Sequence, residues 1–157
     1  MLKPFAAGDY PEYLAMSREF YASDATDHQI PEDHFQRTFN EIAGGSPVAK
    51  GWLIIDEDHD PTRPVGFFLV GMTWSNEFGG RVAWLEELYL RAETRGRGLG
   101  RQVLTEVIEK LKKEDQVVGF RLEVTPANES VAILYEKIGF VPVPYKEWWM
   151  AAPPEKK

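Results

Sequence analysis

Two adjacent carboxylates precede a glycine-rich loop near the middle of the chain. Glu86 and Glu87 lie in the apolar stretch 85–90, and the loop at residues 95–100 follows closely. Glycines let several backbone N–H groups converge on one anion, and the positive end of a helix dipole strengthens that attraction. This arrangement indicates a site for a diphosphate, with acid–base chemistry beside it.

The spacing of these glycines excludes two better-known phosphate loops. A P-loop requires Gly-Lys followed by Ser or Thr, and the chain contains no such sequence. The dinucleotide fingerprint Gly-x-Gly-x-x-Gly is also missing, because Gly96, Gly98 and Gly100 alternate. The alternative to a binding loop is a flexible surface turn. If the loop binds an anion, three arginines can supply further charge: Arg95, Arg97 and Arg101.

The two glutamates are expected to lie in different environments. Neighbouring residues of a strand point to opposite faces of its sheet, so Glu86 and Glu87 cannot share one site. Helices should cover much of both faces, and burial raises the pKa of a carboxyl towards neutrality. Such a carboxylate suits a general base that takes a proton from an ammonium, directly or through water. The alternative is a structural ion pair with an arginine such as Arg121.

Composition limits the classes of function. The 157 residues argue for a single domain, at residues 1–152, with a polar tail at 153–157. The net charge of −7 argues against a nucleic-acid partner and favours a cationic small molecule or peptide. There is no cysteine, so disulfides and a cysteine acyl-enzyme are excluded. The three histidines show no metal-ligand spacing, and we predict no metal site.

Hydropathy gives an expectation for location. No apolar run is long enough to span a membrane, and the N-terminus lacks the apolar core of a signal peptide. We therefore expect a cytoplasmic protein without a membrane partner.

The spacing of apolar residues predicts the elements that would hold this site. Two helices come early, one from a cap at Asp9 to Tyr21 and one from Pro31 to the glycines that begin at Gly44. Two later helices are predicted after Gly98 and over 128–138. Strands are predicted around these helices, at 1–7, 51–55, 65–74, 82–90, 119–125, 140–143 and 148–150. The order predicts a three-layer α/β or α+β domain with a mixed sheet.

The loop and a later segment together resemble the Gcn5-related N-acetyltransferase (GNAT) superfamily. The spacing Arg95-x-x-Gly98-x-Gly100 is similar to motif A of that family, and the preceding Leu-Glu-Glu-Leu-Tyr-Leu resembles its fourth strand. Residues 128–140 resemble motif B, with Asn, Tyr and a terminal Gly-Phe at the usual spacing. One departure is Ala92, where many members have Pro. The resemblance implies a central, mostly antiparallel sheet of six to seven strands flanked by about four helices.

The resemblance also implies a cofactor, acetyl-CoA, and residues that would hold it. The amides of the glycine loop would bind the diphosphate, and the pantetheine arm would lie along the fourth strand. That strand and the next would splay apart to admit the arm. The cofactor-binding residues implied in this way are Leu88, Tyr89, Leu90, Arg95, Gly96, Arg97, Gly98, Leu99, Gly100, Arg101, Asn128 and Tyr135.

The reaction implied is transfer of acetyl to a primary amine by direct attack in a ternary complex. Tyr135 would protonate the departing thiolate, although its helical spacing alone would make it a core residue. Glu86 matches the family's usual acidic position and would be the base or a substrate anchor, with Glu87 as a second candidate. A further set of polar residues could bind a cationic acceptor or be solvated: Asp24, Asp27, His28 and Glu77.

The acceptor class and the assembly are expectations of the same kind. The acidic composition and the 85–90 strand look like members that act on polyamines, diamines or other small cationic amines. The alternatives are acetylation of a protein lysine or N-terminus, and a non-catalytic acyl-CoA-binding module. Trp52, Trp84, Trp148 and Trp149 are predicted to pack in the core or on strands, and the last two favour a homodimer.

Overall fold

The computed structural model describes residues 1–23, 26, 29–148 and 152, and for residues 127, 128 and 130 the backbone alone. Helices and strands alternate in the order that the sequence predicts as far as residue 138. The elements are β1 (Leu2–Pro4), α1 (Tyr10–Tyr21), α2 (Glu32–Ala43), β2 (Ala49–Asp56), β3 (Asp60–Ser75), β4 (Gly80–Leu90), α3 (Leu99–Asp115), β5 (Gly119–Arg121) and α4 (Ala132–Ile138).

The strands form one mixed sheet in the order β1-β2-β3-β4-β5. The first three pairings are antiparallel, and β4 pairs with β5 in parallel. The parallel pair requires a crossover, which α3 supplies. The predicted fold class, a mostly antiparallel mixed sheet between layers of helices, is confirmed.

Each face of the sheet has its own apolar core. On one face, α1 and α2 cover Leu53, Phe67, Leu69 and Tyr89, because their aromatic residues recur at helical spacing. On the other face, the apolar stripe of α3 covers the alternate residues of the same strands. That stripe consists of Val103, Leu104, Val107, Ile108 and Leu111.

The C-terminal part of the sheet is smaller than predicted. The described residues form five strands rather than six to seven, and residues 140–148 have no regular secondary structure. Pro142 and Pro144 remove two backbone donors from this segment, so it cannot form a full ladder. Trp148 is 89% exposed, so its predicted packing in the core is wrong. Trp149 lies outside the described residues.

The predicted strand after α3 is also shorter than expected, since β5 ends at Arg121 rather than Thr125. The helix expected over 128–138 begins instead as a 3₁₀ turn, Pro126–Val131, before α4. Within the part of the chain that the structure describes, no helix is both long and apolar enough to cross a membrane.

Candidate active site

A β-bulge in β4 determines where Glu86 points. In the β3–β4 register, Leu69 pairs with Glu87 and Val70 pairs with Leu85, so Glu86 is the extra residue between two regular pairs. Bulges re-aim the side chain of the extra residue and increase the local twist of the strand. The alternation assumed from the sequence therefore breaks at this one position.

The carboxyl of Glu86 lies against the backbone of β3. Its Oε1 is 2.8 Å from the position that a Cβ on Gly71 would occupy. The Glu86 side chain as a whole is nevertheless exposed. Burial raises the pKa of Glu86, and the negative charge of Glu147 adds to the rise.

The sheet opens between β4 and β5 beside this carboxyl. The two strands form only three pairs: Val82–Gly119, Ala83–Phe120 and Trp84–Arg121. Beyond Trp84, β4 continues to Leu90 paired with β3 alone. A cavity of about 80 Å³ lies at this point. We call it the β4–β5 opening, lined by Phe20, Phe68, Leu85, Glu86, Leu88, Leu104, Glu123 and Tyr135.

Side chains from both apolar cores line the β4–β5 opening. Phe20 belongs to the core beneath α1 and α2, whereas Leu85 and Leu104 belong to the core beneath α3. All three side chains line the same cavity. The opening therefore lies where the two cores meet, beyond the last β4–β5 pair.

Sequence reasoning missed a second carboxylate at this opening, Glu123. Its hydrogen bond with Glu147, its burial, and the charges of Glu147 and Glu86 raise the pKa of Glu123 to about 7. Glu123 therefore exchanges a proton near neutral pH. The signal in the sequence is an acidic residue between the apolar Leu122 and Val124, three positions before Pro126.

Tyr135 brings a hydroxyl group to the same opening. It lies on α4, is half-buried, and packs against Phe140 with ring centroids 6.0 Å apart. Burial raises the pKa of Tyr135, so the phenol holds its proton at neutral pH. The structure therefore brings the predicted pair Glu86 and Tyr135 to one cavity.

Glu87 points to the face that α1 and α2 cover, and the bulge breaks the alternation that was expected to separate it from Glu86. It accepts a hydrogen bond of 2.7 Å from the Tyr21 hydroxyl, on the face that α1 and α2 cover. Arg121, the structural partner considered from the sequence, instead lies over the ring of Trp84 at 5.6 Å from its centroid. Glu86 and Glu87 therefore belong to different cavities.

The glycine loop has the geometry of an anion cradle. Gly96 and Gly98 have φ of 77° and 82°, and Gly98 caps the N-terminus of α3. A Cβ at either position would meet nothing within 4 Å, so the space above the loop is open. The first-turn amides of α3, at Leu99, Gly100 and Arg101, have no carbonyl partner within their own helix. The loop thus fits a diphosphate group.

The chain itself engages two of the three loop arginines. Arg95 donates from Nε to the Leu90 carbonyl at 2.8 Å and lies over the Tyr89 ring, 5.7 Å from its centroid. Arg97 pairs with the buried Asp56 at 3.4 Å, which ties the loop to the end of β2. Arg101 is exposed in the first turn of α3.

The outer edge of β4 carries the backbone groups that the cofactor arm was predicted to use. The Arg91 N–H donates to the Val65 carbonyl at 2.8 Å. The backbone N–H and C=O groups of Arg91 and of Tyr89, two residues before it, therefore point towards β3. The backbone groups of Leu88 and Leu90 point the other way, towards the edge of β4 that β5 leaves unpaired. Tyr89 is also among the predicted residues, but its side chain is buried beneath α1, where its hydroxyl donates to Glu19.

The other predicted residues are not brought to the opening. Glu77 is exposed in the β3–β4 turn. The strand from Gly80, which follows this turn, to Glu86 is six residue steps or about 20 Å long, so Glu77 lies far from Glu86. The side chain of Asn128 lies outside the described part of the structure. So do three residues of the loop after α1: Asp24, Asp27 and His28.

Comparison with known proteins places this geometry in a family. The sequence model of the acetyltransferase (GNAT) family matches residues 13–140. A thialysine N-epsilon-acetyltransferase from Sus scrofa is 30% identical over 97 residues, which are 57% of this chain and 54% of that protein. The match thus spans about half the length of that relative.

Solved structures share the fold over almost the whole chain. An integron cassette protein from the mobile metagenome of Cole Harbour Salt Marsh has a TM-score of 0.79 and 25% identity, covering 98% of this chain and 91% of that one. An aminoglycoside N-acetyltransferase in complex with CoA has a TM-score of 0.75 and 12% identity, covering 96% and 93%. The matched segment 13–140 contains both Glu86 and Tyr135 as well as the glycine loop, and the chain belongs to the acetyltransferase (GNAT) family.

Proposed function

We propose that this protein is an acetyl-CoA-dependent N-acetyltransferase that acts on a primary amine of a small cationic molecule. The observation that carries the proposal is the β4–β5 opening, where Glu86 and Tyr135 line one cavity next to an open glycine loop. Two of the three similar proteins described above are N-acetyltransferases by name, one for thialysine and one for aminoglycosides.

The residues that would hold acetyl-CoA are the loop amides and the free edge of β4. The amides of residues 95–101 and the N-terminus of α3 would bind the diphosphate. The backbone of Leu88 and Leu90 would pair with the pantetheine arm, and Asn128 would contact the cofactor. Arg95 holds the Leu90 carbonyl, so we expect its side chain to move when that carbonyl is used. When bound, acetyl-CoA supplies an acetyl group activated as a thioester.

Proton transfer falls to the side chains of the opening. Glu86 takes a proton from the acceptor ammonium, directly or through water, and its raised pKa makes it a stronger base than a carboxylate with the ordinary pKa. The Tyr135 hydroxyl donates a proton to the departing sulfur. One C–N bond forms, one C–S bond breaks, and one proton is released to solvent. The chain has no cysteine to carry the acyl group, so the amine attacks directly.

The Glu123–Glu147 pair gives the acceptor nitrogen a second carboxylate at the same opening. Glu123 lines the cavity together with Glu86, and its pKa of about 7 lets it exchange a proton at physiological pH. We propose that it attracts the cationic amine and relays its proton to solvent.

Release of free thiol from acetyl-CoA across a panel of amines tests this function. We expect release with small cationic amines, and a loss of about 10²-fold or more in kcat for Glu86→Gln and for Tyr135→Phe. Tight CoA binding without thiol release from any amine, unchanged by either variant, would instead identify a non-catalytic acyl-CoA-binding module. Release only with peptides would point to protein lysine or N-terminal acetylation.

We also propose that the protein is cytoplasmic and forms a homodimer. The exposed aromatic side chains of the C-terminal segment, Tyr145 and Trp148, support an interface with a second copy. Analytical ultracentrifugation tests the dimer, and a monomer at micromolar concentration would contradict it.

A further inference from the structure

A buried carboxylate lies next to the glycine loop and has no role in the chemistry described so far. Asp56 is the last residue of β2, and only 8% of its side chain is exposed. Its Oδ1 lies 3.0 Å from Nδ1 of His59, and its Oδ2 lies 3.4 Å from Nη2 of Arg97. Burying a carboxylate costs free energy unless donors or cations surround it, so Asp56 and these two side chains hold one another in place.

The hairpin between β2 and β3 places Asp56 at this point. The register of the two strands shifts twice between Ile54 and Asp56, and Asp56 then pairs with Asp60. Shifts of this kind bend a strand and re-aim its side chains. Asp60 has 40% of its side chain exposed and pairs with Arg63 at 3.3 Å. The hairpin thus contains two acid–arginine pairs that differ in burial, and the buried pair includes a residue of the glycine loop.

Arg97 lies in the part of the loop where the backbone has the most freedom. It stands between Gly96 and Gly98, which both have positive φ, and glycines allow a chain many other conformations. Its Nη2 also donates to the Glu93 carbonyl at 3.4 Å, in the 3₁₀ turn just before the loop. One guanidinium therefore joins the middle of the loop both to that turn and, through Asp56, to β2.

The charge of Asp56 distinguishes two roles that Arg97 could have. A carboxylate beside an anion site repels a diphosphate, and it partly neutralises the arginine that it contacts. If Arg97 served the cofactor by its charge alone, loss of the Asp56 charge would strengthen cofactor binding. If Asp56 and Arg97 together fix the shape of the loop, the same loss would weaken it. The two roles therefore predict opposite signs for one substitution.

We propose that Asp56 is a positioning residue for the cofactor, which acts through Arg97 to hold the glycine loop in the conformation that binds the diphosphate. The Arg97 side chain then anchors the loop, and its backbone N–H belongs to the groups that bind the phosphates. This inference rests on the proposed function and adds a residue outside the loop on which cofactor affinity depends.

Two acyl donors test the proposal. Acetyl-CoA has the diphosphate, whereas S-acetylpantetheine has the same thioester and arm without it. With the amine that the wild type acetylates fastest, Asp56→Asn should lower kcat/KM for acetyl-CoA about tenfold, mainly through KM, which is the effect of one hydrogen bond to a charged group. The value for S-acetylpantetheine should stay unchanged. Asp60→Asn is the matched control, since it alters an exposed acid–arginine pair of the same hairpin, and it should change neither value.

Calorimetric titration with CoA tests the route through Arg97 without turnover. Arg97→Gln should weaken CoA binding about tenfold, and the double variant with Asp56→Asn should be no weaker, because both changes break the same contact. Arg97→Lys keeps the charge but lacks the planar fork of donors, so it should behave like Arg97→Gln. His59→Gln removes the partner of the other Asp56 oxygen and should leave the dissociation constant within a factor of two.

Unchanged or tighter CoA binding by Asp56→Asn would overturn the inference and leave the proposed function intact. Additive effects of Asp56→Asn and Arg97→Gln would also overturn it, as would equal losses with acetyl-CoA and S-acetylpantetheine, which indicate a general loss of structure. If Asp56→Asn does not fold, Arg97→Lys decides, and wild-type affinity for CoA in that variant overturns the inference. Failure of the wild type to bind CoA would contradict the proposed function itself.

Discussion

Glu86 and Gly71 form a matched pair across β3 and β4. The Glu86 carboxyl occupies the space that any side chain at position 71 would need, with Oε1 2.8 Å from the site of a Cβ. The β-bulge turns Glu86 in this direction, and the missing side chain of Gly71 accommodates it. Gly71, which has no side chain, thereby leaves the space that the carboxyl of the candidate base Glu86 occupies.

Gly71→Ala should displace the Glu86 carboxyl and lower kcat. A misplaced catalytic group costs about 10²-fold, so we expect a loss of this order with little change in the affinity for CoA. Gly8→Ala is the control, because a Cβ at Gly8 meets nothing within 4 Å and its φ is not positive. Steady-state kinetics and a CoA titration on both variants provide the measurement, and equal kcat for the two would show that Gly71 does not position Glu86.

The Glu123–Glu147 pair should make kcat/KM depend on pH near neutrality, as a bend in the plot of kcat/KM against pH. Glu123 binds a proton below its pKa of about 7, so kcat/KM should fall as pH is lowered through that value. Glu123→Gln should move the bend to lower pH, whereas Glu136→Gln, an exposed carboxylate on α4, should leave it in place. A profile from pH 5.5 to 9 that is identical in all three proteins would assign the bend to another group.

The same carboxyl pair should make stability depend on pH. In the folded protein the pKa of Glu123 is raised from 4.5 to about 7, so between these values the folded state binds more protons than the unfolded state. Stability therefore decreases as pH rises through this range. Glu123→Gln should be more stable than the wild type at pH 8, and the difference should shrink as pH approaches 4.5. Urea unfolding at both pH values measures this, and a variant less stable at pH 8 would contradict it.

A single methyl group in the open space above Gly98 should weaken the binding of CoA. Gly98→Ala places a Cβ in that space and costs about 1–2 kcal/mol for a left-handed residue. We expect the dissociation constant for CoA to rise about tenfold. Gly45→Ala is a close control, because Gly45 has nearly the same φ, 81°, with nothing within 4 Å of a Cβ, and lies after α2. Both variants should lose similar stability in thermal unfolding, but only Gly98→Ala should bind CoA more weakly.

Tyr135→Phe should separate chemistry from binding. The phenol and phenyl side chains have nearly the same shape, so α4 and the contact with Phe140 should be preserved. We expect kcat to fall about 10²-fold while the dissociation constant for CoA stays within a factor of two. Intact kcat together with weaker CoA binding would make Tyr135 a cofactor contact rather than an acid.

Much of the fold could be predicted because the strongest patterns are local. The stripe from Val103 to Leu111 has a clear helical period and the run over β3 is continuously apolar. The glycine loop marks the junction between β4 and α3. The C-terminal strands could not be predicted in the same way, because the residues around Pro142 alternate like a strand while lacking the donors that a ladder needs.

The candidate site was harder to predict than the fold because its main features depend on contacts between residues far apart in the sequence. Alternation in a strand predicts opposite faces for Glu86 and Glu87, but a bulge that no pattern in the sequence reveals makes Glu86 the unpaired residue and breaks that alternation. The raised pKa of Glu123 depends on Glu147, which is 24 positions further along the chain and carries no motif of its own. The cavity lined by Tyr21, Arg37 and Glu87 likewise forms only once α1 and α2 pack against each other and the sheet.

The short pairing of β4 with β5 leaves an unpaired edge within the sheet. The backbone groups of Leu88 and Leu90 at this edge pair with no described strand, which is the arrangement that lets an extended segment add to a sheet as a further strand. The attraction in such an addition comes from main-chain hydrogen bonds, so it depends little on the side chains at these two positions.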